Sequence, residues 1–394
     1  MKAGSRPRKR VLLPALFFLC LFLSFPNLQV VKGEELDLGS GDEAGEEEFL
    51  EGLDLEEVQE AMNQLLGEDT FSIRQFLEEA LSGGEVFSWE TIKELLGQLF
   101  LHQLGSDRQV LLQVVLLALA GALFSNFTGA FGSGQAQDMS FYLVYMLLLA
   151  ILATSFGKLS HGLAGDLQNF IVFMQALMPS YFLAVTAATG AATAMVFYEM
   201  VLAVIFLIQM VLLKAVLPGI QAYVVLELVN YLHKEDFLSK TGDLIRTLVE
   251  WALKTCTGVI IGMQVLQNMI SPAVDSLKRD MLGKTAAAIP GVGNAINGVT
   301  EVALGTAVLI RNCLGVAGIL VLLVLGLPPV IQLAITALTY KFLAALMQPV
   351  SDKRMVGCIS TMGEGCRLLL KVLLTVELLF LITIAVLSVS FISR

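Results

Sequence analysis

Read from its N-terminus, the chain alternates long apolar runs with short polar joints, and the run lengths set the first expectation. A bilayer needs roughly 20 apolar residues per helix. Seven stretches qualify as spans: Val110 to Phe131, Met139 to Phe156, Val196 to Leu217, Ala252 to Ile270, Thr306 to Leu327, Pro329 to Met347 and Leu368 to Phe391. The last contains Glu377. A mid-helix charge costs about 2.5–3.5 kcal/mol, while each Leu, Ile, Phe or Val offsets about 0.3–0.6 kcal/mol, so the span survives its carboxylate. Two further segments are weaker: Phe170 to Met195, interrupted by Pro179, and Thr285 to Gly305, with Pro290, Gly291, Gly293, Asn294, Asn297 and Glu301. Both are expected to be re-entrant or sheltered by protein, because irregular backbone survives at membrane depth only where neighbours or water satisfy it.

Ahead of these spans the pattern differs. Residues 1–33 have the layout of a signal peptide: Lys2, Arg6, Arg8, Lys9 and Arg10, an apolar run from Val11 to Phe25, and a cleavage point after Gly33. An uncleaved anchor is the alternative, and either places Glu34 outside the cytoplasm. Residues 34–108 read as an acidic extracytoplasmic region with short amphipathic helices. Phe49, Leu53, Val58, Met62, Leu65 and Leu66 trace one, and another starts at Ser88, a good N-cap, with Glu90 in its first turn. These helices are thin on core and are expected to pack on the membrane or a partner.

The spans also suggest a duplicated unit. Shifted by 111 residues, Pro179 falls on Pro290 and Pro218-Gly219-Ile220-Gln221 on Pro329-Val330-Ile331-Gln332. The following polar segments, taken as loops, match too: Ser239, Gly242, Asp243 and Arg246 against Ser360, Gly363, Glu364 and Arg367. The resulting division is a first transmembrane hairpin region over 109–138, repeat unit 1 over 139–250, repeat unit 2 over 251–367, and a C-terminal span over 368–394. Positive-inside counting puts both polar segments in the cytoplasm and favours a parallel repeat, but Lys278, Arg279 and Lys284 count against it, so parallel and inverted arrangements both stand.

Composition agrees with an all-α, polytopic transmembrane helical bundle. The 394 residues are 56% hydrophobic and 15% charged, with a mean hydropathy of +0.76, where soluble domains are about 45–50% apolar and about 25% charged. The net charge of −10 is concentrated before residue 70: fifteen Asp and Glu, and no Lys or Arg, lie between Glu34 and Asp69. The five cysteines form no Cys-x-x-Cys, and His102, His161 and His233 are scattered, so neither a metal site nor a cofactor is expected. Gly291-x-Gly293 lacks the third glycine of a dinucleotide fingerprint. No nucleophile–base motif points to an enzyme, and no basic surface points to nucleic acid.

Ionisable residues within spans are the functional candidates, because they are expensive there. Lys214, Arg311 and Lys341 lie within about two turns of a span end and read as snorkelling cations. Glu199, Glu301 and Glu377 read instead as lining a polar path or pairing with a cation on another helix. Gly258 and Gly262 form a Gly-x-x-x-Gly face of the kind that lets two helices approach closely.

Three ordered motifs carry a family likeness: Ile289-Pro290-Gly291-Val292-Gly293, Arg311-Asn312-Cys313-Leu314-Gly315-Val316-Ala317-Gly318, and Tyr340-Lys341-Phe342-Leu343-Ala344-Ala345 leading to Gln348-Pro349. With the leader and the Phe87-Ser88-Trp89 helix start, the chain resembles the stage III sporulation protein AE family of endospore-forming bacteria over nearly its whole length. The resemblance implies a non-enzymatic, multi-pass subunit of a secretion or feeding channel in the mother-cell membrane around the forespore. The partners it implies are its sister stage III proteins, including an AA-type ATPase, and stage II sporulation protein Q. A second reading is a secondary transporter with its site at the two Pro/Gly-broken segments, an arrangement known from duplicated transporters.

Overall fold

The computed structural model describes residues 55–66, 134–189, 191–232, 237–259, 261–262, 293–349 and 351–389, with three isolated positions between 112 and 116. All regular structure among them is helical: α1 (Glu56–Leu66), α2 (Gly134–Thr189), α3 (Ala191–Leu207), a π-helical segment (Ile208–Val216), α4 (Leu217–Asn230), α5 (239–259), α6 (Gly293–Met347) and α7 (Lys353–Val389). Among the described residues, four stretches are long and apolar enough to cross a membrane: Phe141–Ala187, Met195–Asn230, Ala307–Met347 and Lys353–Ala385.

Several expected boundaries dissolve. Met139–Phe156 and most of Phe170–Met195 lie on one helix, α2, whose 56 residues run through Pro179. The irregular backbone expected at Pro179 is therefore absent. Likewise Thr306–Leu327 and Pro329–Met347 are one 55-residue helix that continues through Pro328 and Pro329. The physical reason is shared. Proline removes one backbone donor and crowds the preceding turn, but unwinding in an apolar setting would strip partners from several peptide groups at several kcal/mol each. Staying helical is the smaller cost. At 1.5 Å per residue α2 and α6 are each about 80 Å long, well beyond a bilayer core of about 30 Å. All but three residues of the expected span Val110–Phe131, the end of Ala252–Ile270 from residue 263 on, and Pro290 and Gly291 lie outside the described residues.

Around Pro218 the chain solves the same problem differently. The nine-residue π segment before it shifts the bonding register, so that Leu217 N–H reaches the carbonyl of Leu212. A π segment leaves a wider backbone ring and recurs near functional positions.

α6 and α7 form an antiparallel hairpin whose register is marked by glycines. Gly318 meets Ile384, Gly326 meets Glu377 and Gly363 meets Lys341. Asp352 starts α7 as an N-cap, its carboxylate accepting the Arg354 N–H at 2.8 Å. α2 packs against both helices of the hairpin, and α4 lies against α7. At Gly365 three helices come close together: a Cβ there would stand 2.6 Å from a Val224 methyl and 2.7 Å from the Phe156 ring. The interior is apolar, with Leu148, Leu152, Phe173, Leu177, Leu314, Val372 and Phe380 inaccessible or nearly so.

Of the amphipathic helix read from Phe49 to Leu66, Phe49 and Leu53 lie outside the described residues, while the part from Glu56 on is present as α1, with Val58 and Met62 on its buried face. It packs on α2 of its own chain rather than only on lipid or another protein. The helix expected from Ser88 lies outside the described residues.

Candidate functional site: charges inside and around the bundle

The charged positions singled out in the sequence separate into three groups. Glu199 is exposed on α3. Gly293, Asn294, Asn297 and Glu301 lie on the helical backbone at the start of α6, where side chains are outside the described set. Gly258 and Gly262 are exposed, and a Cβ at either would meet nothing within 4 Å, so no helix among the described residues uses the Gly-x-x-x-Gly face.

Arg311 corrects an expectation. Read as a snorkelling cation, it is instead fully inaccessible, the largest such side chain among the described residues. Its guanidinium donates from Nη2 to Asn312 Oδ1 at 3.0 Å and lies in the field of Tyr181 on α2. α6 continues well beyond Arg311 on its N-terminal side, so the helix end that would have offered a route to water is not there. The guanidinium turns inward, toward the part of α2 that contains Pro179.

Glu377, on α7, is 2% exposed. Its Oε2 has no hydrogen-bond partner among the described residues. The carboxyl faces Gly326 of α6, where a methyl in place of hydrogen would come within 2.6 Å of Oε1. The hairpin register puts Arg311 about fifteen residues further along α6 from Gly326, so the two buried charges do not pair. A carboxyl buried without a donor is costly in this setting unless it carries a proton or a mobile cation.

The third group was missed by reading the sequence. Lys341 does reach the protein surface, but it pairs there with Glu364, which also takes Arg367. Arg246 Nη2 stands 3.7 Å from Glu364 and its Nε 3.8 Å from Glu250. Glu250 accepts from Lys371 Nζ at 2.8 Å. The result is a belt of six charges that ties α5, α6 and α7 together over about two turns of α7. Burial opposes the ionised form of Glu250, yet the Lys371 hydrogen bond and charge, with Arg246 and Lys254, overcome it and hold the carboxyl below its ordinary range. The segments carrying Arg246, Glu364 and Arg367, expected to be loops, are helical. Their polar side chains satisfy one another across helices, so no exposed loop is needed. The signal was in the sequence: the matched pairs Gly242/Gly363 and Arg246/Arg367 meet the same neighbourhood. Gly242 presses on Glu227 of α4 as Gly363 presses on Lys341 of α6.

Just beyond the belt, a buried cluster closes the bundle. Tyr145 donates to the Leu228 carbonyl and touches Cys358 Sγ, while Arg354 stacks 3.5 Å above the Phe141 ring. Cys256, Cys313, Cys358 and Cys366 form no disulfide, and no group of three metal-ligating side chains occurs among the described residues.

With this geometry in view, comparison with known proteins decides the family. The stage III sporulation protein AE family model matches residues 71–390. The chain belongs to that family. A similar protein, the stage III sporulation protein AE of Bacillus subtilis (strain 168), is 22% identical over 312 residues, covering 79% of this chain and 78% of that one. No solved structure matches. This family member is thus a helical, multi-pass membrane protein of sporulation, and the family is not a known enzyme family.

Proposed function

We propose that this protein is a non-enzymatic subunit of a secretion or feeding channel complex between mother cell and forespore, required for spore development. The family match across residues 71–390 carries the reading. The fold supports it: four span-length helices among the described residues and an interior that seats Arg311 and Glu377. It sits in the mother-cell-derived membrane around the forespore, with the acidic region after its signal peptide outside the cytoplasm. There it joins the other stage III proteins, an AA-type ATPase and stage II sporulation protein Q. A clean deletion in the host is expected to stop spore development after engulfment, scored as loss of heat-resistant spores. Normal spore counts would overturn the assignment.

One observation favours a second reading. The unpartnered Glu377 oxygen beside Gly326 is what a proton- or cation-coupled transporter would need in its core. This moves the transporter site from the Pro179 segment, which is continuous helix, to the α6–α7 hairpin. Protein reconstituted in liposomes would then show ion flux that Glu377→Gln abolishes, whereas equal leakage with and without protein removes this reading.

A further inference from the structure

The belt joining Arg246, Glu250, Lys341, Glu364, Arg367 and Lys371 does more than hold three helices together. We propose that it is a binding site for the phosphate of an anionic phospholipid headgroup.

Position is the first argument. The hairpin register sets Lys371, the inner edge of the belt, beside about Gln332 of α6, and from there α6 runs back through Cys313–Ile331, nineteen residues without Asp, Glu, Lys, Arg or His, about the length of a bilayer core. In the other direction only six residues separate Lys341 from Met347, the end of α6, about 9 Å of helix. The lipid-crossing part of the hairpin therefore lies on one side of the belt, and the belt falls at headgroup depth. Trp251 supports this placement independently. It is 66% exposed and adjoins Glu250, and tryptophan concentrates where the bilayer meets water.

Charge is the second argument. Two carboxylates, Glu250 and Glu364, serve four cations in the belt, and Lys254 adds a fifth on the exposed side of α5. Glu227 on α4 nearby offsets one of these and leaves a positive excess. Donors also outnumber acceptors, for Arg367 Nε has no hydrogen-bond acceptor among the described residues. Lys341 and Lys371 keep 42% and 37% of their side-chain surface open, so an incoming phosphate oxygen can share their ammonium protons. A basic pocket between membrane helices at the headgroup level suits an anionic lipid rather than a zwitterionic one.

The test uses the full chain in a neutral detergent, titrated with phosphatidylglycerol, with phosphatidylcholine of the same acyl chains, or with inorganic phosphate. Binding is read as the rise in thermal unfolding midpoint and as lipid retained in native mass spectra. Phosphatidylglycerol is expected to bind and stabilise where the other two do not. Lys341→Gln and Lys254→Gln should each weaken it about fivefold. Lys254 makes no carboxylate bond within the belt, so its variant reads binding even if Lys341→Gln disturbs folding. Equal binding of phosphatidylcholine, equal stabilisation by inorganic phosphate, or unchanged phosphatidylglycerol affinity in Lys254→Gln would overturn the proposal.

Discussion

At Gly326 a single hydrogen atom makes room for a carboxyl, and two substitutions separate what that carboxyl does for stability from what it does for function. Gly326→Ala should lower stability by about 1–3 kcal/mol, the usual cost of overpacking, because its methyl would crowd Glu377 Oε1. Thermal unfolding in detergent reads it. Glu377→Leu fills a similar volume without an unpartnered oxygen and should raise stability by about 1–3 kcal/mol. A fall of that size instead would mean that the carboxyl has a partner it depends on. If Glu377 is retained for function, the stabilised variant should also produce fewer spores than wild type. Arg311 illustrates a limit of reading one residue at a time. Its distance from the end of an expected span suggested an escape to water, and only the length of α6 shows that there is none.

Elements were legible where their signal was hydrophobic length, and illegible where it was punctuation. The amphipathic spacing of Val58, Met62 and Leu65 gave α1, and the unbroken run after Leu368 gave the second half of α7. Pro179 and Pro328-Pro329 read as breaks because proline usually is one in water. Among apolar neighbours the rest of each helix holds it in place. Polar runs read as loops for a similar reason, although the charges of 239–250 and 360–367 pair across helices. That pairing has a pH signature. Glu250 is held below its ordinary pKa of 4.5, so its contribution is complete above that value and is lost as pH falls through the lower, folded value. Glu250→Gln should therefore melt lower than wild type at pH 7, and the gap should close once the pH falls well below 4.5. The pair is partly exposed, so a double-mutant cycle with Lys371→Gln should give a coupling of only about 0.2–1 kcal/mol. A gap that widens in acid would reverse the sign of this account.

For the molecule as a whole, the governing quantity is how much helix lipid can cover. Apolar stretches of 47, 36, 41 and 33 residues exceed the roughly 20 needed for one crossing. Part of each must then extend past the hydrocarbon, to be covered by headgroups, water or other subunits of an assembly. Exposed Leu143, Met146 and Leu147 on α2 and Phe342 and Leu346 on α6 lie toward the belt and hairpin-turn end, which makes that end the natural one for partners. The measurement that bears most directly on this arrangement is labelling of introduced cysteines in native membranes by a membrane-impermeant maleimide, read at each site by peptide mass. With the membrane opened to give access to both faces, Ser351→Cys, in the hairpin turn, should label rapidly, and Leu323→Cys, midway along the uncharged stretch of α6 from Cys313 to Ile331, should stay unlabelled. Labelling of Leu323→Cys as fast as Ser351→Cys would show that α6 is bathed in water, and the membrane bundle described above would be wrong.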